Sequence, residues 1–290
     1  MSKSTEAQLV DGRKIADRIL NEVQSGVQEL RRAGHQPNLV ALQVGGDNAS
    51  EVYVRKQRQS FADLGIQLTQ LRLDATISIS GVLTHIDALN SNPTVTGILI
   101  TMPLPDGLPA AQAQERIDPA KDVEGVHPAN LGRLIYNRHA VGPCTALAVL
   151  TAIESTGVEV TGKRVVMVGH SDIVGKPVGL CLLQEMATTT TCHAATRDLA
   201  EHTEKADILV VAVGKSGLVT GDMVKEGAVV VDVGINRSKE GRIVGDVDFA
   251  SVASRASWIT PVPGGIGPVT VAMLARNTLL CAKQIFLGDG

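Results

Sequence analysis

Aromatic residues are scarce: the chain has one tryptophan, two tyrosines and three phenylalanines among 290 residues. A core must therefore be built from valine, isoleucine, leucine and alanine, and this bias favours layered α/β packing. No apolar run approaches the roughly 20 residues that span a bilayer. The formal net charge is only −3, so charge gives no reason to expect nucleic acid or an anionic membrane as a partner.

Cysteine pairs and metal-binding motifs are also missing. The four cysteines, Cys144, Cys181, Cys192 and Cys281, form no CxxC or Cys/His pattern, so we expect buried, reduced thiols. The sequence has no HExxH, no GxSxG and no carboxylate pair at metal-ligand spacing, and we predict no metal. Residues 1–11 lack the apolar segment of a signal peptide, so we expect a cytoplasmic protein.

Helical and strand patterns alternate through the first half of the chain. We predict helices at about residues 12–33, 49–64 and 78–91, and strands at 39–44, 66–73 and 95–102. Between residues 105 and 143 the pattern breaks into a loop-rich stretch of the kind that often carries function. In this stretch Asp122 suits an Asx turn, and a lone loop histidine such as His127 is more often structural than catalytic.

The second half has its own strand–helix alternation. We predict strands at residues 165–168, 188–192, 208–213, 229–233 and 258–260, with helical segments that start near residues 175, 197 and 221. Another helix should start at Thr145, which would cap it. The fold class is therefore α/β, with an N-terminal α/β domain at 1–142 and a Rossmann-like doubly wound domain at 143–268. A last helix within 269–290 should pack back on the first domain.

A strand–turn–helix segment at residues 165–177 predicts a dinucleotide site. Its spacing, GxSxxxG at Gly169, Ser171 and Gly175, departs from GxGxxG and by itself also fits an ordinary βα turn. Two later strands end in Gly214 and Gly234, and glycines at one sheet edge line the crevice where such folds bind ligands. We predict these residues as cofactor contacts: Gly169, His170, Ser171, Ile173, Ala194, Gly214 and Ile235.

The choice between NAD and NADP stays open. After the second strand of this domain, residues 192–195 offer neither an acid for a ribose 2′-hydroxyl nor an arginine for a 2′-phosphate. Arg197 and His170 are the nearest candidates in the sequence, and each is more often a solvated surface residue.

Seven segments together resemble one family, the methylenetetrahydrofolate dehydrogenase/cyclohydrolases. They lie at residues 49–54, 97–105, 121–128, 143–145, 169–177, 231–236 and 261–274, and the last is long and highly specific. The resemblance implies oxidation of 5,10-methylenetetrahydrofolate by hydride transfer to a nicotinamide cofactor. Many members also hydrolyse the methenyl product to the 10-formyl form. It also implies a folate cleft between an N-terminal catalytic and a C-terminal Rossmann domain, and a homodimer.

The family's active-site positions are only partly retained. The resemblance implies a catalytic set of Tyr53, Gln57, Thr101 and Glu124, of which only Tyr53 is the usual residue. Gln57 stands where the family has lysine, Thr101 where it has glutamine, and Glu124 where it has aspartate. The residues expected to bind substrate are Tyr53, Lys56, Glu124, Gly264, Gly265 and Pro268. The resemblance also implies that Thr145 lies near the cofactor and contacts it.

The change at position 57 should separate the two reactions. An amide can hydrogen-bond to a substrate but cannot donate or accept a proton near neutral pH. Lys56 is rotated about 100° away from position 57 on a helix, so it covers the gap only in part. Thr101 keeps a hydroxyl but loses the reach of an amide, and Glu124 keeps a carboxylate that could grip the N–H donors of a pterin. Hydrolysis should be badly weakened, whereas hydride transfer mainly needs alignment.

Four interpretations remain open from the sequence. The first is a dehydrogenase with weak or absent cyclohydrolase activity, and the second is the full bifunctional enzyme, with Lys56 or a bound water in the missing role. The third is an enzyme whose altered contacts accept another small substrate. The fourth is a non-catalytic folate- or nucleotide-binding paralogue, against which the retained glycines and Tyr53 argue.

Overall fold

The computed structural model describes residues 6–46, 58–138 and 141–288, and the chain forms two compact units. The N-terminal unit contains Ile19–Gly142 and the residues from Leu274 onwards. The C-terminal unit contains the residues up to Arg18 and Pro143–Met273. Two long helices, α1 (Gly12–Arg32) and α9 (Ile266–Leu287), contribute residues to both units.

The N-terminal unit is built on a three-stranded parallel sheet. Its strands are β2 (Asn38–Val44), β3 (Gln67–Leu73) and β4 (Gly97–Ile100), in the order β3-β2-β4. Helices α2 (Ile79–Ser91), α3 (Ala110–Arg116) and α4 (Pro128–Ile135) follow, and residues 58–63 are also helical. Strand β2 is buried from end to end after its first residue, as expected for the central strand of a parallel sheet.

The C-terminal unit is built on a six-stranded parallel sheet in the order β1-β11-β8-β7-β5-β6. Its strands are β1 (Gln8–Leu9), β5 (Arg164–Val168), β6 (Thr188–Cys192), β7 (Ile208–Val211), β8 (Val229–Asp232) and β11 (Trp258–Ile259). An antiparallel pair, β9 (Asn236–Arg237) and β10 (Ile243–Val244), stands apart from the sheet. The helices are α5 (Cys144–Glu154), α6 (Gly175–Gln184), α7 (Leu199–Thr203), α8 (Phe249–Ala253) and a 3₁₀ helix at Gly221–Met223.

The predicted α/β class and the two parallel sheets are confirmed, and the four cysteines are buried and free. Three details were wrong. The stretch 105–143 contains α3 and α4, and the helix expected near residue 221 is a single 3₁₀ turn. Thr145 does not cap α5, because the helix already begins at Cys144 and Pro143 holds the N-cap position without a side-chain hydrogen bond.

The units differ from the expected domains in the first residues of the chain, and not at the boundary after Gly142. Residues up to Arg18 group with the C-terminal unit because β1 adds to its sheet beside β11. Residues 49–57 of the predicted second helix lie outside the described part of the chain. Among the described residues, no helix is long and apolar enough to cross a membrane.

Helix α2 is held at its C-terminal end by a buried lysine. The Lys121 ammonium donates to the carbonyl oxygens of Leu89, Asn90 and Asn92 at 3.1, 2.6 and 2.8 Å. These carbonyls lie at the negative end of the helix dipole, and those of Leu89 and Asn92 also accept from the N–H groups of Asn92 and Val95, each at 3.2 Å. Burial lowers the pKa of Lys121, and the nearby Asp118 carboxylate opposes that shift. Lys121 therefore ties the loop at residues 118–125 to α2.

Replacing this ammonium with an apolar side chain should destabilise the N-terminal unit. We expect Lys121→Met to lower the free energy of unfolding by about 2–3 kcal/mol, because three main-chain carbonyls at the end of α2 lose a charged donor and the Lys121 position is buried. Urea-induced unfolding followed by circular dichroism measures the loss. The control is Lys239→Met at an exposed position, which we expect to change stability by less than about 0.5 kcal/mol. An equal effect of the two substitutions would contradict the assigned role of Lys121.

Candidate functional site

The loop that carries Glu124 runs along the free edge of strand β4. The Ile98 N–H donates to the Lys121 carbonyl at 2.8 Å, and Ile98 forms an isolated parallel bridge with Asp122. Strand β2 occupies the other edge of β4. The segment is thus held at the sheet like a short additional strand, and Glu124 follows two residues after the bridge.

Asp122 is a buried carboxylate that organises the rest of this loop. Its Oδ1 accepts from the Gly125 N–H at 3.1 Å, and its Oδ2 accepts from the His127 N–H at 2.8 Å and from Asn130 Nδ2 at 2.9 Å. Three donors compensate for the burial of the charge. His127 is structural, as expected: its Nδ1 accepts from the Ala129 N–H at 3.0 Å and so caps α4.

Glu124 is half-buried, and its carboxyl group holds its proton unusually tightly. Burial, and next the negative charge of Asp122, raise the pKa of Glu124 from 4.5 to about 7. Both the acid and the carboxylate are therefore present near neutral pH. A carboxyl group poised in this way can give up or take a proton, or accept hydrogen bonds from a ligand.

The other predicted catalytic positions are only partly visible. Thr101 is half-buried and follows β4, where its N–H donates to the Leu42 carbonyl at 2.9 Å and extends the sheet by one residue. Tyr53, Lys56 and Gln57 lie outside the described residues. Sequence reasoning missed Gln43, a buried amide in the apolar strand β2 that accepts a hydrogen bond from Gln70 on β3. A polar residue inside an otherwise apolar strand is the signal that could have identified it.

In the C-terminal unit, the loop after β5 requires glycine for steric reasons. Gly169 has φ +124°, and a Cβ added there would lie 2.2 Å from the Ala212 carbonyl oxygen. A Cβ at Gly175, the first residue of α6, would lie 2.3 Å from the Gly169 carbonyl oxygen. Ser171 lies between them, and its hydroxyl accepts from the Gly175 N–H at 3.3 Å. A tight turn that leads into a helix N-terminus suits a pyrophosphate.

The loops after β7 and β8 are held by two aspartates that sequence reasoning missed. Asp246 Oδ2 accepts from the N–H groups of Val213 and Gly214 at 2.6 and 2.9 Å. Asp232 Oδ1 accepts from Gly234 and Asp246 at 2.9 and 3.0 Å, and its Oδ2 accepts from Val247 at 2.9 Å. Burial raises the pKa of Asp232, against the N–H bonds that lower it. The available signal was an aspartate that lies within two residues of a glycine at the end of an apolar segment.

Two cavities lie along these loops. One, of about 220 Å³, brings together the predicted substrate contacts Gly264, Gly265 and Pro268 with the predicted cofactor contact Ile235. The other, of about 690 Å³, lies beside the β9–β10 pair and is lined by polar and small residues such as Thr220, Arg242 and Gly245. Asp232 lines both cavities, so the residue that holds these loops borders both spaces.

The remaining predicted cofactor residues fall on three elements. His170 and the exposed Ile173 belong to the glycine loop, Ala194 follows β6, and Thr145 is the second residue of α5. The His170 and His193 rings lie 5.2 Å apart, so the ends of β5 and β6 meet here. No acidic side chain occurs among residues 192–195 at the end of β6, and the structure leaves the coenzyme preference open. In the described part of the chain, no three His, Cys, Asp or Glu side chains cluster to hold a metal.

Comparisons with known proteins cover almost the whole chain. Residues 10–124 match the catalytic domain of the tetrahydrofolate dehydrogenase/cyclohydrolase family, and residues 143–286 match its NAD(P)-binding domain. A relative from Moorella thermoacetica, named bifunctional protein FolD, is 48% identical over 278 residues, which are 96% of this chain and 99% of the relative.

Solved structures agree with these matches. The bifunctional FolD methylenetetrahydrofolate dehydrogenase/cyclohydrolase of Campylobacter jejuni superposes with a TM-score of 0.93 at 40% identity, covering 96% of this chain and 99% of that one. The Trypanosoma brucei enzyme, solved with NADP and an inhibitor, gives 0.90 at 39% identity, with 97% and 98% covered. The chain therefore belongs to the tetrahydrofolate dehydrogenase/cyclohydrolase family.

Proposed function

We propose that this chain is an NAD(P)-dependent methylenetetrahydrofolate dehydrogenase whose cyclohydrolase activity is weak or absent. The observation that carries the proposal is Gln57, a neutral amide at the position where the family has its lysine. It occurs in a chain whose nucleotide loop keeps every sterically required glycine. We therefore expect the dehydrogenase reaction to be retained and the hydrolysis of the methenyl compound to be weakened.

The dehydrogenase half depends on binding and alignment. Gly169, Ser171 and the N-terminus of α6 would hold the pyrophosphate, because the two glycines allow a turn so tight that an added Cβ would collide with main-chain carbonyls, and the helix N-terminus that follows suits an anion. The backbone around Gly214 and Ile235 would border the rest of the cofactor. When bound, a nicotinamide supplies the hydride acceptor. The protein's contribution is to hold the folate's one-carbon centre in line, which needs no titrating side chain.

Glu124 is the group we assign to the folate in the N-terminal unit. Its carboxylate oxygens can accept the paired N–H donors of a pterin edge. A ligand that donates two hydrogen bonds to the carboxylate would favour the charged form and so lower the pKa that burial raises. Binding of such a ligand should therefore release a fraction of a proton near pH 7. Tyr53 is a further proposed substrate contact, and Thr101 is a further proposed catalytic position.

The hydrolytic half needs a proton carrier near the methenyl carbon, since water must lose a proton as it attacks. A lysine ammonium can shuttle protons, but the amide of Gln57 cannot. Thr101 does not replace it, because a hydroxyl has no accessible pKa near neutrality. This is why hydrolysis should fall while hydride transfer survives.

Restoring the lysine tests the proposal directly. We expect Gln57→Lys to raise the rate of methenyltetrahydrofolate hydrolysis by about 100-fold, the usual size of a general acid–base contribution. Dehydrogenase turnover should change much less. Hydrolysis is followed by the loss of the methenyl absorbance, in buffer blanks that give the spontaneous rate.

Gln59→Lys is the matched control for that experiment. It adds the same ammonium two residues along, on the described helical segment, where Gln59 bonds to Asp63 at 2.8 Å. We expect it to leave hydrolysis at the parent level. If Gln57→Lys does no more than this control, position 57 does not limit hydrolysis, and an altered substrate becomes the better explanation.

The full bifunctional enzyme is the second candidate, and Glu124 is the observation that favours it. With a pKa raised to about 7, this carboxyl group has the proton affinity of a general acid–base catalyst. In this case the parent protein would already hydrolyse the methenyl compound, and Glu124→Gln would abolish that activity. Under the first candidate, Glu124→Gln weakens folate binding in the dehydrogenase reaction and has no hydrolysis to remove.

The raised pKa of Glu124 also predicts a pH-dependent stability effect. Folding disfavours the charged form, so the penalty is absent below pH 4.5, grows as the pH rises to about 7 and is complete above it. Glu124→Gln removes the penalty and should stabilise the protein at pH 8 by roughly 1–3 kcal/mol, with no gain at pH 4.5. Urea unfolding at the two pH values measures this. The exposed control Glu115→Gln should show no such difference, and an equal gain from Glu124→Gln at both pH values would contradict the shift.

The homodimer implied by the family resemblance is part of the same proposal. Light scattering on the purified protein should give about twice the chain mass of 30.4 kDa. A monomer at micromolar concentration would contradict the dimer without affecting the proposed chemistry.

A further inference from the structure

The peptide groups on both sides of Glu124 are held by buried side chains. On the C-terminal side, the Gly125 N–H donates to Asp122 Oδ1 at 3.1 Å. On the N-terminal side, the Val123 carbonyl accepts from Asn277 Nδ2 at 2.9 Å. The peptide groups before and after Glu124 are therefore both fixed by hydrogen bonds. Because the main chain is restrained on both sides, the Glu124 side chain starts from a defined position.

Asn277 reaches this loop from the C-terminal helix. It lies in the part of α9 that belongs to the N-terminal unit and is fully buried. Its second Nδ2 hydrogen bonds to the Gly142 carbonyl at 2.8 Å, so both hydrogens of the amide are used. The helix therefore joins the Glu124 loop to the last residue before the C-terminal unit of the chain.

The Val123 side chain is also locked. It is fully buried, and a Cβ added to Gly97 on β4 would lie 2.5 Å from its Cγ1. Val123 is therefore restrained twice, by its packing against β4 at Gly97 and by the bond from Asn277 to its carbonyl. A change at Asn277 should therefore be transmitted to the next residue, Glu124, rather than absorbed locally.

We propose that Asn277 is a positioning residue for Glu124: its amide fixes the Val123 carbonyl and thereby the origin of the folate-binding carboxylate. The inference rests on the proposed function in one respect, that Glu124 contacts the folate. Misplacing a binding or reacting group by an ångström can cost about 100-fold in rate. Asn277 touches neither reactant and acts only through the loop.

A double-mutant cycle with Glu124→Gln tests this role. Asn277→Leu is nearly isosteric and removes both donors. We expect it to lower kcat/KM for methylenetetrahydrofolate by about tenfold, with KM for the nucleotide within about twofold of the parent. In the Glu124→Gln background, the same change should cost less than about twofold, because the carboxylate that Asn277 positions is already gone. Equal losses in the two backgrounds, or a parallel rise in the nucleotide KM, would overturn the proposal.

Thr278→Val is the matched control. Thr278 is also fully buried on α9, and its hydroxyl bonds to the Leu274 carbonyl at 2.8 Å within the helix. The substitution removes a buried hydrogen bond of similar strength one residue away, without touching the Glu124 loop. We expect kcat/KM within about twofold of the parent in both backgrounds. A loss equal to that of Asn277→Leu would show that general loosening of the helix is sufficient, and it would overturn the proposal.

A milder variant, Asn277→Ser, guards against a folding defect in Asn277→Leu. An NMR titration of Glu124 tests the positioning role without measuring enzyme activity. Asn277→Ser keeps one hydroxyl donor in place of the amide. Carbon-13 NMR of labelled glutamate carboxyls follows the titration of Glu124, assigned by its loss in Glu124→Gln. Asp122 is the charged group that acts on Glu124, and it is unchanged in every variant. We expect Asn277→Ser to move the titration midpoint by about half a unit or more, and Thr278→Val to leave it in place.

The outcomes separate the two claims. If the parent protein oxidises no methylenetetrahydrofolate but the midpoint moves in Asn277→Ser alone, the proposed function fails and the positioning role stands. If the midpoint is the same in the parent and in Asn277→Ser, the positioning role fails whatever the activity is.

Discussion

The candidate sites in the two units depend on buried aspartates that accept hydrogen bonds from several main-chain N–H groups. These aspartates lie at the edge or at the carboxyl end of parallel strands. Asp122 does this beside β4, and Asp232 and Asp246 do it after β7 and β8. Parallel strands deliver their loops to one edge of the sheet, where the loops leave the regular ladder and their N–H groups need new acceptors. A carboxylate can accept several at once and holds the loop in one shape. These bonds restrain the loops that carry the proposed ligand contacts.

The same arrangement sets the chemistry of the neighbouring group. Asp122 is satisfied by its own donors and stays available as a negative charge beside Glu124, whose pKa rises because of burial and that charge. A glutamate that is half protonated near neutrality differs from the fully ionised carboxylate that exposed positions carry. Gln57, by contrast, has no proton to exchange at any ordinary pH. The N-terminal unit therefore has a titrating group on the loop beside β4 and a neutral amide where the family has its lysine, and in the proposed function this difference separates hydride transfer from hydrolysis.

Much of the fold could be predicted from the sequence, because uninterrupted apolar strands such as residues 208–211 and glycines at helix ends give strong local signals. The two-residue strand at Gln8–Leu9 could not, since it is identified only by pairing with Trp258–Ile259 at the far end of the chain. The short helices α3 and α4 were missed because one turn or two leave too little periodicity to see. Thr145 is not the cap that the sequence predicted, because Pro143 occupies the N-cap position and the helix begins at Cys144.

Some residues of the candidate site could be predicted from the sequence, and others could not. Gly169 and Gly175 were predicted from spacing, and the structure gives the steric reason for both. Asn277 lay beyond sequence reasoning, since its bond to Val123 joins residues 154 positions apart. Asp232 and Asp246 could have been found, because each lies within two residues of a glycine at the end of an apolar segment.

The central claim is that loss of the lysine ammonium cripples hydrolysis while hydride transfer survives. It is tested most directly by measuring both steady-state rates on one preparation of the unaltered protein. Methylenetetrahydrofolate with NAD or NADP gives the dehydrogenase rate, and methenyltetrahydrofolate alone gives the hydrolase rate. The account predicts clear turnover in the first assay and a rate close to the spontaneous background in the second. Enzymatic hydrolysis well above that background, or no turnover in either assay, would contradict it.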